Sequence, residues 1–521
     1  MKNATIFGLI IAGAAALTVA CGTEAESVDA AVVQVESGAV RGSVATEHRV
    51  FQGIPYAAAP TGDFRWASPR PVPGWSGIRD AAVPGPACPQ VPQNPLSVAS
   101  ENEDCLYLNV TAPTAAQRSP VLVYIHGGDN IFGTGSTYDA TRLATQGDAV
   151  VVTLNYRLGV LGYLAHSDGL SGDYGMQDQR AALRWVRDNI AAFGGDPGNV
   201  TLFGQSGGGY ATCAHLASDE SAGLFHRAIM QSSPCLNLRP GSPEPAGSGP
   251  EQPRDRQAAR RQGFAIADRM GCPATAGALN CLRHKDVAEL LEVTAEERFA
   301  SVVDGAEHAF VDGKFARVPV LLGINKDEER FRAFAIELQN GHPLTLQEYR
   351  EQLTQLFGDR ADRVAAQYPC DGDNCSAALG DSMTDYAWAR PAGDTFAALA
   401  HHTPTYAYEF ADRDAPWFAS ATGQQLPSPS FDVGAYHIAE LPYLFDVAYS
   451  QPLPEVSRDL SDQMIAYWSR FAHTGDPNAV GSPPWPKFDG TTKYVQSLAP
   501  NTISRVDFDA EHRTWFWRSF E

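Results

Sequence analysis

"NVTLFGQSGGGYATCAHLAS", residues 199–218, sets one serine, Ser206, among four glycines at the join between an apolar run and an Ala-rich segment. Val200–Phe203 is short and opens on β-branched residues, whereas Tyr210–Ala217 has helical composition, so the spacing predicts a strand that turns into a helix across the glycines. Glycine and serine are ordinary turn formers. Here, however, Gly204-Gln205-Ser206-Gly207-Gly208 also reads G-x-S-x-G, the nucleophile elbow. In that device the serine takes a strained backbone conformation, and the residues two before and two after it must be tiny to avoid colliding. Gly204 and Gly208 meet that demand.

A serine hydroxyl is a poor nucleophile at neutral pH and needs a histidine in hydrogen-bond reach, oriented in turn by a carboxylate. Behind a G-x-S-x-G elbow the chain order is serine, acid, histidine. The run "VPVLLGINKDEER" offers Asp327, Glu328 and Glu329 after a strand-like segment, and two of the three are expected to be solvated turn residues. For the base, His401 and His402 precede a strand, His512 lies near the C-terminus, and His437 sits in "FDVGAYHIAELPYLF" after what reads as the last strand. His473, in "FAHTGDPN", reads as the end of a helix. Acyl transfer also needs preorganised donors for a developing oxyanion. Val121–Ile125 runs into His126-Gly127-Gly128, a glycine turn of the kind that exposes backbone N–H groups beside the elbow. Gly127, Gly128 and Gly207 would then supply three donors.

Strand-like runs at Val121–Ile125, Ala149–Leu154, Val200–Phe203 and Ala228–Met230 enclose an amphipathic helix from about Met176 to Phe193. That alternation predicts a mostly parallel sheet. The Pro, Gly and Ser-rich stretch from Arg239 to Arg254 reads as a surface loop. Asp255–Met270 and Val287–Val293 then look helical, and sheet patterning returns at Val318–Ile324 and Thr405–Phe410. The chain is therefore expected to form one α/β domain over 32–521, with a helical cap inserted at about 239–317.

Sixty acidic residues against 39 basic ones give a net charge of -21 in 521 residues. Such a surface repels phosphate backbones, so nucleic acid and anionic membranes are poor partners. Lys2, the apolar run Ile6–Ala20 and the absence of acids before Glu24 read as an export signal over residues 1–20. Its end, Leu17-Thr18-Val19-Ala20-Cys21, resembles a bacterial lipobox. Acyl chains on Cys21 would anchor the protein through a tether over 21–31 without a spanning helix; plain secretion or a periplasmic location is the alternative. Assigning Cys21 to lipid leaves eight of nine cysteines, enough for four disulfides in an oxidising compartment. Closeness suggests Cys272 with Cys281, Cys370 with Cys375 and Cys88 with Cys105. Cys213 and Cys235 remain, as a fourth pair or as buried thiols. No C-x-x-C spacing for zinc occurs.

Ordered segments across nearly all of the chain after the tether, "FQGIPYAAAPTGDFRW", "ENEDCLYLNV", "VYIHGG", "VVVTLNYRLGVLGYL", "GDYGMQDQRAALRWVRDNIAAFGGDPGNVTLFGQSGGG", "GLFHRAIMQS", "VPVLLGINKDE", "GAYHIAELPYLF" and "WSRFAHTGDPN", carry a resemblance. The sequence resembles the type-B carboxylesterases, the α/β-hydrolase family that also contains the cholinesterases and the catalytically silent neuroligins. The resemblance implies Ser206 as nucleophile, Glu328 as acid and His437 as base of a two-step ester hydrolysis that needs no cofactor or metal. It likewise implies the Cys88–Cys105 and Cys272–Cys281 disulfides and a structural ion pair between Arg65 and Glu103.

The departures from that pattern are specific. Family elbows usually read G-E-S-A-G, whereas this one carries Gln205 and Gly207, which removes a buried charge and frees the elbow backbone. Glu329 and Ile438 stand where glycines commonly follow the acid and the base. Asp129 and Asn130 follow the oxyanion turn and make that side of the pocket more polar, or hydrogen-bond their own loop. Val91–Glu103 contains no aromatic residue to face a quaternary ammonium, which disfavours choline esters. The expected partner is a small-molecule ester; carbamates, amides or thioesters cleaved by the same serine, or a non-catalytic binding role on this fold, are the rival readings.

Overall fold

The computed structural model describes residues 1, 30–92, 97–238, 256–300, 306–370, 372–418 and 426–520. The export signal, Cys21 and most of the tether lie outside the described residues, as does the loop at 239–254.

Eleven strands form one sheet: β1 (Ser43–Val44), β2 (His48–Pro55), β3 (Tyr107–Pro113), β4 (Ser119–Ile125), β5 (Val150–Leu154), β6 (Gly195–Gln205), β7 (Arg227–Gln231), β8 (Val320–Asn325), β9 (Thr405–Phe410), β10 (Val495–Ala499) and β11 (Thr502–Val506). Their spatial order is β11-β10-β9-β8-β7-β6-β4-β5-β3-β2-β1. The seven strands from β10 to β5 are parallel; β3, β2, β1 and β11 pair antiparallel at the two edges. This is a large, mostly parallel sheet.

Every residue of β4, β5, β8 and β9 is buried, because both faces of the sheet are covered and a central parallel strand must be apolar throughout. Alternate side chains serve opposite layers. Leu122, Tyr124, Phe203, Ile229 and Leu321 pack with Met464, Trp468 and Phe471 of helix Glu455–Thr474. Val121, Val123, Ile125, Leu202 and Met230 pack instead with Leu183 and Val186 of helix Tyr174–Asn189 and with Phe396 of helix Arg390–Ala400. Helices Arg256–Arg269, Ala278–Arg283 and Val287–Val293 lie between β7 and β8 in the chain. They bring Ile266, Met270, Leu282 and Leu290 against Trp66, Tyr163 and Leu164.

Two sequence expectations about the elements need correction. Thr405–Phe410 is not the last strand: β10 and β11 follow His437 and extend the sheet past β9. The long helix starts at Tyr174 and ends at Asn189, after which Ile190–Phe193 tightens to a 3₁₀ turn closed by Gly194 at φ 89°. The four disulfides are Cys88–Cys105, Cys213–Cys235, Cys272–Cys281 and Cys370–Cys375. Cys213–Cys235 ties the helix that follows Ser206 to the segment after β7. Four disulfides are consistent with an extracellular or secreted protein. No helix among the described residues is long and apolar enough to cross a membrane.

Candidate active site

The carboxyl ends of the parallel strands converge, the usual place for a site in an open α/β sheet. β6 ends at Gln205, and Ser206 follows at φ 53°, ψ -125°, a conformation that side chains other than glycine adopt only under constraint. The constraint is visible. Ser206 N–H donates to Gln231 O on β7 (2.9 Å), while Ser206 O accepts from Tyr210 N–H (2.9 Å) and from the Ser233 hydroxyl (2.8 Å). A Cβ on Gly204 would collide with the Gly208 carbonyl, and one on Gly208 with the Ile125 carbonyl. The elbow therefore requires both glycines.

β4 delivers His126, Gly127 and Gly128 beside it. Gly128 takes φ 103°, and Asp129 and Asn130 follow at φ 54° and 53°, a left-handed run that folds the turn back over the elbow. Its closeness is measured by the space at two glycines: a Cβ on Gly127 would stand 3.2 Å from Ser206 Cβ, and one on Gly207 3.2 Å from Asp129 N. Asn130 ties the turn to helix Gly159–Tyr163, accepting from the Tyr163 hydroxyl (3.1 Å) and taking the Gly159 N–H on its carbonyl (2.6 Å). Asp129 instead points its carboxylate toward Arg298 (3.4 Å). Burial lowers the His126 imidazole to about 4, so this histidine is neutral; its Nδ1 lies 2.8 Å from Gly127 O.

The turn after β8 carries Asp327, Glu328 and Glu329; contrary to the expectation that two of them are solvated, all three are buried, each with its own partners. Asp327 accepts from Ala435 N–H (2.9 Å) and faces Arg330 and Arg413. Glu328 is buried; one oxygen accepts from Asn325 N–H (2.8 Å) and the other lies 2.5 Å from His437 Nδ1. Glu329 accepts from Trp388 Nε1–H (2.6 Å). His437 N–H also donates to Glu328 O (3.2 Å), so the acid and histidine segments are clamped through backbone as well as side chains. Burial opposes charge on His437, but Glu328, then Glu440 and Glu329, outweigh it and push the imidazole up to about 9. Gln205 Nε2 lies 3.3 Å from the other ring nitrogen, Nε2.

The remaining histidine candidates are elsewhere. His401 and His402 lie near the start of β9, His473 meets Gly147 O (3.1 Å), and His512 is held between Asp385 and Glu409. Arg65 and Glu103 form a two-pronged pair (2.5 and 2.7 Å), and Arg65 also donates to Lys285 O (2.6 Å), so it joins the N-terminal region to the inserted helices.

Three residues around His437 escaped the sequence reading. Trp388 lies in a π-helical turn, Asp385–Ala389, with its ring 5.0 Å from the His437 ring. Glu440 is fully buried, accepting from Asn325 (2.7 Å) and Gln231 (3.1 Å), and burial pushes its carboxyl up to about 7. Asn325, immediately before the K-D-E turn, joins Glu328 to Glu440. Only Asn325 had a local signal.

A family model described as the carboxylesterase family matches residues 29–517. Pyrethroid hydrolase Ces2e of Rattus norvegicus is 33% identical, with 97% of this chain and 91% of that protein covered. Para-nitrobenzyl esterase of Bacillus subtilis is 32% identical over 92% of this chain and 97% of its own. Among solved structures, a thermophilic PNB esterase superposes with a TM-score of 0.75 at 29% identity, covering 93% of this chain and 99% of that one.

Proposed function

The chain belongs to the carboxylesterase family, a serine carboxylic-ester hydrolase on an α/β-hydrolase fold, and from that premise we propose that Ser206, Glu328 and His437 carry the reaction. The observation that supports the assignment best is the 2.5 Å contact of Glu328 with His437 Nδ1, which leaves Nε2 directed at the elbow. Ser206 Oγ attacks the ester carbonyl while His437 Nε2 takes its proton; His437 then returns the proton to the departing alcohol. Water repeats the sequence on the acyl-enzyme. Glu328 fixes the tautomer and stabilises the imidazolium. Backbone N–H groups of Gly127, Gly128 and Gly207 receive the oxyanion, each donor of this kind being worth ~10²-fold or more in rate.

The substrate class is a small-molecule carboxylic ester. The test is p-nitrophenyl butyrate hydrolysis by the purified protein beside Ser206→Ala at equal folded concentration. A loss of about 10⁴-fold or more is expected. Turnover retained in the variant would overturn the assignment.

The same reading takes residues 32–521 as one domain with a helical cap at about 239–317, and Cys21 as a lipidated first residue that anchors it. Incorporation of labelled palmitate that disappears in Cys21→Ser checks the anchor. Incorporation that persists in the variant would contradict it.

A further inference from the structure

The two ring nitrogens of His437 face different chemistries. Nδ1 donates to Glu328, so in the neutral ring Nε2 carries the lone pair that must accept the serine proton. Among the described residues the group hydrogen-bonded to that lone pair is the Gln205 amide, at 3.3 Å, and not Ser206 Oγ. Gln205 is buried, and its position is fixed by being the last residue of β6.

Glu329 adds a second buried carboxylate next to Glu328 in the chain, bonded to Trp388, whose ring packs against His437. Both residues are departures from the family pattern, which has glutamate before the serine and glycine after the acid. Relative to that pattern one negative charge is missing beside Nε2 and one is added next to the acid in the chain, where it too favours charge on the imidazole.

We propose that Gln205 is a positioning residue for the hydrolysis: its amide donates to the Nε2 lone pair of the neutral His437 ring, opposes the imidazolium that the surrounding carboxylates favour, and keeps that lone pair at the elbow until a bound ester brings the Ser206 hydroxyl onto it. In this role it offsets Glu329. The inference rests on the triad proposed above.

The charges that face His437 explain why such a donor matters. Glu328 and Glu329 approach from the turn after β8, Glu440 from the histidine's own segment and Asp129 from the oxyanion turn; Arg298 pairs with Asp129, and Arg332 approaches Glu329. The carboxylates favour the imidazolium, consistent with its upward shift to about 9. An imidazolium bears a proton on Nε2 and cannot take one from serine. An amide N–H beside Nε2 opposes that state, whereas a glutamate there would accept from Nε2–H and favour it. An amide can also turn its oxygen to the imidazolium once proton transfer has occurred, so it serves both protonation states.

The experiment compares pH profiles of kcat/KM for p-nitrophenyl butyrate in the wild type, Gln205→Glu, Glu329→Gln and the double variant. The midpoint of the acid limb is expected to rise by roughly one pH unit or more in Gln205→Glu, the scale of a carboxylate placed within ~4–6 Å. It should fall in Glu329→Gln and return toward the wild-type value in the double variant. Gln205→Met, similar in length but lacking the donor, should raise the midpoint by less and covers the case in which the glutamate variant does not fold. A Gln205→Glu profile that superimposes on the wild type, or moves to lower pH, overturns this inference alone when turnover is serine-dependent. Turnover that survives Ser206→Ala overturns the triad and this inference together.

Discussion

Two histidines among the described residues pair with buried carboxylates, His512 fully buried and His437 partly exposed, and their second nitrogens differ. His512 has both nitrogens occupied, Nδ1 by Asp385 and Nε2 by Glu409, each at 2.6 Å; Asp385 is held further by Arg513 and by the Tyr368 hydroxyl. His437 has one carboxylate on Nδ1 and a displaceable amide on Nε2. Burial opposes charge at both sites and the carboxylates overcome it, pushing His437 to about 9 and His512 to about 10. A perturbed histidine beside an acid is therefore no signature of catalysis by itself. What separates them is the second nitrogen, which meets the Gln205 amide at the elbow in His437 and another carboxylate in His512.

The largest expected effect that sharpens this contrast comes from Glu328→Gln. The substitution keeps the shape but offers His437 an amide that no longer enforces the Nδ1–H tautomer, so kcat should fall by about 10³- to 10⁴-fold with little change in KM. Steady-state kinetics at matched folded concentration check it.

His512→Gln should act on stability instead. It leaves Glu409 and Asp385 short of their shared cation in a buried place, a cost of about 3 kcal/mol, read as a lower urea midpoint with kcat/KM within about tenfold of the wild type. The pH dependence has a defined sign. His512 is raised from its ordinary 6.5 to about 10, so its contribution is complete below pH 6.5 and declines as pH rises toward 10. The difference in urea midpoint between wild type and His512→Gln should shrink across that window.

Gly207→Ala, which restores the more usual elbow residue, is expected to have the smallest effect. Its methyl would stand 3.2 and 3.3 Å from Asp129 N and Asn130 N, so the oxyanion turn must give by a few tenths of an ångström. A change in kcat of less than about tenfold is expected. A Gly208→Ala variant differs sharply, since its Cβ meets the Ile125 carbonyl with no room to move, and should fail to fold.

The same contrast explains what was legible in the chain. The elbow, the glycine turn after β4 and the strand-turn pattern around Lys326-Asp327-Glu328 are local, and local sterics dictate them, so Ser206 and Gly127 could be singled out from short windows, whereas the choice of Glu328 over Asp327 and Glu329 came from the family resemblance. His437 and His512 both looked like a histidine near an acidic or aromatic stretch; their opposite surroundings come from Asp385, Glu409 and Gln205, all distant in sequence. The Glu440 network and the packing of Trp388 on His437 were hidden for the same reason. Strand β10 and the edge strand β11 were missed because Val495–Val506 is short and half polar, and β11 is exposed as an antiparallel edge is. Beside Gly207 the elbow is tied by three hydrogen bonds: Ser206 N–H donates to Gln231 O, and Ser206 O accepts from Tyr210 N–H and the Ser233 hydroxyl.

The most direct measurement is kcat/KM for His437→Gln beside His512→Gln, both at equal folded concentration. A loss of about 10⁴-fold in His437→Gln, with His512→Gln within about tenfold of the wild type, is the expected result. Comparable losses in both, or a retained rate in His437→Gln, would contradict the assignment of His437 as the base.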